Sequence, residues 1–177
     1  MKNFPVIDKN SGREYWISRS IATVVLIITK EKGEEFVVAV KRGKGTPDPE
    51  YVGAYCMPCG YLDFDETITQ AAKREVLEET GLDFPISDFK LVSINDNPES
   101  DKRQNITFRF IVETQIPLKN LASKLTTKNS EKDEVEDISF IKLDDIESFR
   151  WAFNHETLIK EIINSKNDIF NFRYRLI

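Results

Sequence analysis

The sequence predicts an α/β fold with a mixed β-sheet held between helices. Three observations carry that reading. A continuous β-branched run at residues 21–28 and a second apolar run at 36–40 read as a buried hairpin. The middle of residues 60–82 is rich in strong helix formers, among them Ala71, Ala72, Lys73, Arg74, Leu77, Glu78 and Glu79, and it ends at Gly81. Further strand-like runs follow that helix and a second, amphipathic helix comes last, so helices and antiparallel pairs alternate along the chain.

Length and composition bound the function. At 177 residues the chain has room for one well-buried core, so a single domain over 1–177 is expected. With 40% apolar and 31% charged residues it is not a mainly disordered chain. A net charge of −5 supplies no basic footprint for duplex nucleic acid. There is no long apolar span, signal peptide or lipidation motif, so a soluble, cytoplasmic protein without a membrane partner is expected.

In chain order, residues 1–19 hold two short apolar segments around Pro5–Ile7 and Tyr15–Ile17, separated by turn formers at 8–12. They predict an N-terminal hairpin, suited to packing or to a homodimer contact, with Trp16 as an alternative base-stacking group. The hairpin of 21–28 and 36–40 turns at 31–35. Lys41, Arg42 and Lys44 follow, interleaved with Gly43 and Gly45. Flexible backbone plus three cations suits either a phosphate site or a solvated loop. Residues 46–50 read as an irregular loop.

The two cysteines stand as Cys56-Met57-Pro58-Cys59. Zinc needs two more N or S ligands, and the chain has a single histidine, His155. A thioredoxin-like pair opens a helix, whereas this pair runs into Gly60 and an acidic loop. A structural role is expected for both thiols.

Beyond the central helix, residues 89–94 read as a short strand and 95–103 as a polar loop. Residues 104–113 alternate, with Ile106, Phe108, Phe110 and Val112 on one face and Thr107, Arg109 and Ile111 on the other, which predicts a strand with one face in a core. Residues 114–134 are mostly polar and read as a connector and mobile loop with room for a short helix. A strand over 135–142, a short helix from Leu143 and a final amphipathic helix over 154–163 complete the pattern. Leu158, Ile159, Ile162 and Ile163 face inward on that last helix. The aromatic, basic stretch 169–177 is expected to dock on the body or on a partner.

The chemistry lies on the central helix. Asp63 and Asp65 are candidate N-caps, and Asp63 with Glu66 fits a capping box. At about 100° per residue, Glu75 and Glu79 fall within roughly 20° of Ile68, on the face of Ala71 and Ala72. Glu78 lies one step further round. A solvated acidic face belongs opposite the alanines instead. Carboxylates turned toward a core need counter-charge, which Arg74 supplies in part and a hard divalent cation can complete.

This stretch resembles the Nudix box, G-x5-E-x7-R-E-U-x-E-E-x-G-U, where U is bulky and aliphatic. Gly60, Glu66, Arg74, Glu75, Val76, Glu78, Glu79, Gly81 and Leu82 fit every defined position at the right spacing. The resemblance implies a Nudix-like α/β/α sandwich whose box forms loop, helix and loop. It implies a hydrolase cleaving the diphosphate linkage of a nucleoside diphosphate joined to another group, of the ADP-ribose, dinucleotide or nucleotide kind. It implies Mg²⁺ or Mn²⁺ on Glu75, Glu78, Glu79 and the Cys59 carbonyl, supported by Glu66 and oriented by Arg74. Cys59 departs from the glycine that most of the family has there, which a backbone carbonyl tolerates if its angles suit a residue with a Cβ. In the family the general base is a box glutamate, here Glu75, or an acid on a distant loop, here Glu131 or Glu134. A basic residue ending the second strand of the hairpin often faces substrate, which makes Lys41, Arg42 and Lys44 phosphate candidates. The stretch Ala152–His155 is similar to one in ADP-ribose-type members. Two alternatives share the fold: a ligand-binding or regulatory module without catalysis, and an isoprenoid diphosphate isomerase. Regulators usually carry an added DNA-binding domain, for which this chain has no room. For the isomerase no matching cysteine and glutamate pair is found outside the box.

Overall fold

The structure, a computed structural model, describes residues 4–99 and 103–164. Two strands, β1 (Phe4–Ile7) and β2 (Glu14–Ile17), pair antiparallel as a separate N-terminal hairpin. Its side chains Ile7, Trp16 and Ile17 are exposed. The main sheet has seven strands: β3 (Ile21–Glu31), β4 (Glu34–Arg42), β5 (Tyr55–Cys56), β6 (Cys59–Tyr61), β7 (Lys90–Asn95), β8 (Ile106–Thr114) and β9 (Val135–Lys142). Its order runs β5-β4-β3-β8-β7, with β6 also paired to β3 and β9 to β4. The β3–β8 pair is parallel and the others are antiparallel, so the sheet is mixed.

Three helices flank it: α1 (Ile68–Thr80), the short α2 (Leu118–Ala122) and α3 (His155–Asn164). β3 shows why its apolar run is unbroken. Val24, Leu26 and Ile28 join the core beneath α3, with Leu158, Ile159 and Ile162. Val25 and Ile27 join the opposite core, with Ala72 and Val76 of α1. A strand buried on both faces has no polar side to alternate with. This is an α/β/α sandwich.

Several expectations need correction. The β3–β4 turn is only Lys32 and Gly33, because Glu31 already pairs with Glu34. β8 was expected to bury one face, yet Ile111 is fully buried in the α3-side core while Phe110 and Val112 fill the other. Its parallel pairing to β3 puts it in the middle of the sheet, covered on both sides. The short helix from Leu143 is a 3-10 turn, Leu143–Ser148. The expected docking of residues 169–177 lies outside the described residues.

Candidate active site

Helix α1 starts later than the aspartates suggest. Its N-cap is Thr67, whose hydroxyl accepts from the Gln70 amide at 3.3 Å, while the Gln70 side chain accepts from the Thr67 amide at 2.7 Å. This reciprocal box replaces the Asp63–Glu66 box. Asp65 has φ 66° and so lies outside the extended range of a cap. Glu66 still reaches back to the Asp63 amide, at 2.8 Å, but as part of the loop before the helix. At the other end Gly81 takes φ 76° and donates to Leu77, closing the helix.

The helix lays Ala71, Ala72, Val76 and Thr80 on the sheet, and Glu75 and Glu79 are buried with them. Small side chains let the helix approach closely, and that approach takes the acids out of water. Gly60 makes room for one of them. A Cβ there would lie 2.1 Å from Glu75 Oε1, so any side chain at position 60 would displace the carboxylate. Glu78 points further out, with its side chain 43% exposed.

Arg74 ties the acids together. Its Nε and Nη2 donate to the two Glu66 oxygens at 3.1 and 2.7 Å, and its Nη1 donates to Glu75 at 2.7 Å and Glu78 at 3.2 Å. Nη2 also donates to the Tyr61 carbonyl at 2.9 Å, which anchors the fork to β6. One guanidinium thus hydrogen-bonds three carboxylates, with Asp63 a more distant fourth at 3.7 Å. Glu66 takes the larger share, and the Arg74 bond holds its carboxyl below the usual range. The Arg74 guanidinium is pushed up in turn, Glu66 first among the causes. Glu75 is different: burial pushes it up to about 7, outweighing the Arg74 contact, with the Glu78 charge adding to the rise.

Glu79 sits deeper still. Burial is the main cause of a pKa well above the usual carboxylate range, with Cys56 and Glu75 adding to it. Its Oε2 accepts from the Cys59 amide at 3.1 Å. The β3–β6 ladder explains why that amide is free to donate. The Val25 amide donates to Pro58 and the Leu62 amide to Ile21, so Val24 and Cys59 form a non-hydrogen-bonded pair. Both the N–H and the C=O of Cys59 therefore point away from β3, on the side of Glu79. Cys59 lies in extended strand and not at positive φ, so its Cβ carries no backbone strain.

The thiols are structural in their surroundings. Cys56 is fully buried, and its sulfur receives Arg42 Nη1 at 3.8 Å. The Cys59 thiol donates to Cys56, and that bond together with burial holds it well above its usual pKa.

The other candidates fall in different places. Lys41 pairs with Glu136 at 2.7 Å. Arg42 is buried, against Thr46, Cys56 and the ring of Phe153, with Glu134 at 4.0 Å. Lys44 is exposed. The amides of Gly43 and Gly45 donate to the Glu134 and Asp133 carbonyls at 2.6 and 2.7 Å, so they do not form an open phosphate cradle. Glu134 joins the acids: burial raises its pKa, and its charge bears on Glu75 and Glu79. Glu131 is exposed. His155 is buried and accepts from the Met57 amide at 2.9 Å, and burial lowers its pKa to about 3, so it is a neutral structural group. Unforeseen in the sequence is an ion pair between Arg103 and Asp48, with Arg103 Nη1 3.3 Å from the Tyr61 hydroxyl beside the box. Arg103 stands in a polar loop and Asp48 in an irregular one, and no periodicity links them.

Does this donor set fit a divalent cation? Glu75 and Glu79 are carboxylates removed from water with too little positive charge among them, and the Cys59 carbonyl beside them is not used by the ladder. Hard oxygen donors of this kind suit Mg²⁺ or Mn²⁺. In this arrangement Glu75 and Glu78 turn to Arg74 and Glu79 to Cys59. Among the described residues no three such side chains already converge on one point.

The fold and the acidic helix together define a class of α/β/α protein that carries buried carboxylates on a helix packed against a mixed sheet. The NUDIX domain model matches residues 19–162, and the chain belongs to that family. It is 27% identical over 163 residues to an ADP-ribose pyrophosphatase of Methanocaldococcus jannaschii, covering 92% of this chain and 85% of that protein. In structure it is similar to the NUDIX domain of Shewanella oneidensis NrtR, solved in complex with ADP ribose: TM-score 0.68, 19% identity, 85% of this chain and 90% of that one. It is also similar to a bifunctional NMN adenylyltransferase/ADP ribose pyrophosphatase of Francisella tularensis, solved with AMP and a Mn ion. There the TM-score is 0.65 at 22% identity, over 84% of this chain and 42% of that larger one.

Proposed function

We propose that this chain hydrolyses the diphosphate linkage of a nucleoside diphosphate joined to another group, of the ADP-ribose kind, with Mg²⁺ or Mn²⁺. The observation that carries the reading is the pair of buried carboxylates, Glu75 and Glu79, on one helix face beside the free Cys59 carbonyl. The M. jannaschii relative supports the substrate class. Glu75, Glu78, Glu79 and the Cys59 carbonyl would hold the metal. Arg74 fixes the directions of Glu75 and Glu78, and Glu66 fixes Arg74. When bound, a divalent cation neutralises diphosphate oxygens and makes an attacking water more acidic. Water attacks one phosphorus, the bridging P–O bond breaks, and the water's proton passes to a carboxylate. Glu134 suits that role because Arg74 does not engage it and burial raises its proton affinity. Glu75 is the other candidate. Two free cysteines suit a reducing cytoplasmic location.

The test is a phosphate-product assay over a panel of nucleoside diphosphate derivatives, with Mg²⁺ and with EDTA. Cleavage of ADP-ribose-like compounds that ceases in EDTA is expected. Full activity in chelator overturns the metal reading. Tight binding of such a compound without any product overturns catalysis in favour of a ligand-binding module.

A further inference from the structure

The glycines that follow β4 do something the phosphate reading does not explain. Both approach the segment before β9 with no room to spare. A Cβ at Gly43 would lie 2.2 Å from the Asp133 carbonyl oxygen, and one at Gly45 would lie 2.2 Å from that of Lys132. The obstacles are backbone atoms, so neither clash is relieved by a rotamer change. Each glycine also donates its amide across the gap, Gly43 to Glu134 at 2.6 Å and Gly45 to Asp133 at 2.7 Å. The β4–β9 ladder reaches Arg42 opposite Val135 after an irregularity between Lys41 and Arg42. The two glycine bonds carry the pairing on past that point, beyond the end of either strand.

The segment held in this way carries Glu134. One cation and two sets of acids bear on it. Arg42 Nη2 stands 4.0 Å from its carboxylate. Arg42 is itself fixed, with Nε 2.9 Å from the Thr46 hydroxyl, Nη1 on Cys56 and its guanidinium 5.1 Å from the centre of the Phe153 ring. Glu134 is also within electrostatic reach of α1: its charge bears on Glu75 and Glu79, and that of Glu78 bears on it. Glu131, on its own segment, adds a like charge, while its carbonyl receives the Glu134 amide at 3.1 Å. The charges of Glu131 and Glu78 oppose an ionised Glu134, Arg42 offsets them, and the backbone bonds fix the segment that carries it.

We propose that Gly43 and Gly45, with Arg42 behind them, are a clasp that positions Glu134 over the acidic face of α1, and that they are positioning residues for the hydrolysis. The inference rests on the reading of Glu134 as part of the reacting site. It explains why two glycines flank Lys44 in a stretch whose amides face protein and not a ligand. It also gives a buried arginine at the end of β4 a task other than substrate binding.

Three variants test it: Gly43→Ala, Glu134→Gln and the two combined. Rates are read over a range of substrate concentrations at saturating Mg²⁺, and backbone hydrogen exchange is followed over residues 130–136. Gly43→Ala is expected to lower kcat at least tenfold with KM within about twofold, and to speed exchange in 130–136 while α1 and β3 keep their protection. The combined variant should be no slower than Glu134→Gln alone, because the clasp acts through that carboxylate. If Gly43→Ala does not fold, Gly45→Ala meets the same segment and serves in its place. Unchanged exchange in 130–136, or losses that multiply in the combined variant, overturns the clasp. Normal turnover in Glu134→Gln overturns the role of Glu134, and with it any catalytic purpose of the clasp. That outcome is separate from the clasp's own failure, because exchange in Gly43→Ala reports the backbone whether or not Glu134 reacts.

Discussion

At the scale of single residues, burial is what separates carboxylates of the same chemical type. Glu66 and Glu75 both bond Arg74 at 2.7 Å, yet one is held below the usual carboxylate range and the other is raised to about 7. Arg74 gives Glu66 two bonds and Glu75 one, and α1 buries Glu75 against Gly60. Glu79 is buried further, with a hydrogen bond from the Cys59 amide and the more distant charge of Arg42 as compensation. A charge in that position costs stability and is useful only if something positive comes to it. Glu79→Gln separates the two effects. The amide oxygen can still accept from Cys59, and a like charge beside Glu75 is gone. The metal-free variant is expected to melt at or slightly above the wild type, by a few tenths of a kcal/mol. Its turnover at saturating Mg²⁺ should fall by about two orders of magnitude, roughly 3 kcal/mol of barrier. Thermal melts beside initial rates decide the matter, and a variant that melts early but turns over normally would falsify a catalytic role for this helix face.

At the scale of elements, how much was legible depends on how local the determinant is. The acidic face of α1 was legible because helical period and the alanine positions fix it without reference to the rest of the chain. β9 was legible to the residue, 135–142, for the same reason. The start of α1 was not, because two aspartates and a threonine all offer caps within five residues, and the loop's own conformation decides. Glu66 keeps its bond from the Asp63 amide while also taking Arg74, but Asp63 and Glu66 both lie in the loop before the helix, and Asp65 turns to positive φ. Thr67 is left to cap, with Gln70 answering. Thr67→Ala should therefore cost about 1 kcal/mol. Asp63→Ala removes only an exposed partner 3.7 Å from Arg74 and should cost less than about 0.5 kcal/mol. Equal losses in chemical denaturation would return the cap to the aspartate. The glycine pair at 43 and 45 leaves a phosphate site and a solvated loop equally open in the sequence, because its partners, residues 132–134, lie about ninety positions away. Nothing local marks such a contact. The same holds for Arg103 and Asp48.

At the scale of the whole molecule, proton and cation compete for the same buried acids, and that competition makes stability depend on pH. Glu75 has a folded pKa of about 7 against 4.5 for the free side chain. A raised carboxylate favours the protonated form in the folded state, so its contribution is fully present below 4.5 and is lost as pH rises through 7. Glu79 is shifted in the same direction by burial. Glu66 is shifted the other way, and its contribution fails only on acidification below the ordinary carboxylate range. The metal-free protein should thus lose about 2 kcal/mol between pH 5 and pH 7.5 from Glu75 alone, roughly 4–8 °C in melting temperature. Mg²⁺ binds ionised carboxylates, so it should raise the melting temperature more at pH 7.5 than at pH 5, by mass action on the folded state. Glu75→Gln should flatten the metal-free pH slope. Melts at both pH values, with excess Mg²⁺ and with EDTA, check all three statements. A metal-free melting temperature that does not fall over this range would mean that Arg74 compensates Glu75 fully. An Mg²⁺ shift of equal size at both pH values would mean that the cation binds away from the buried acids of α1.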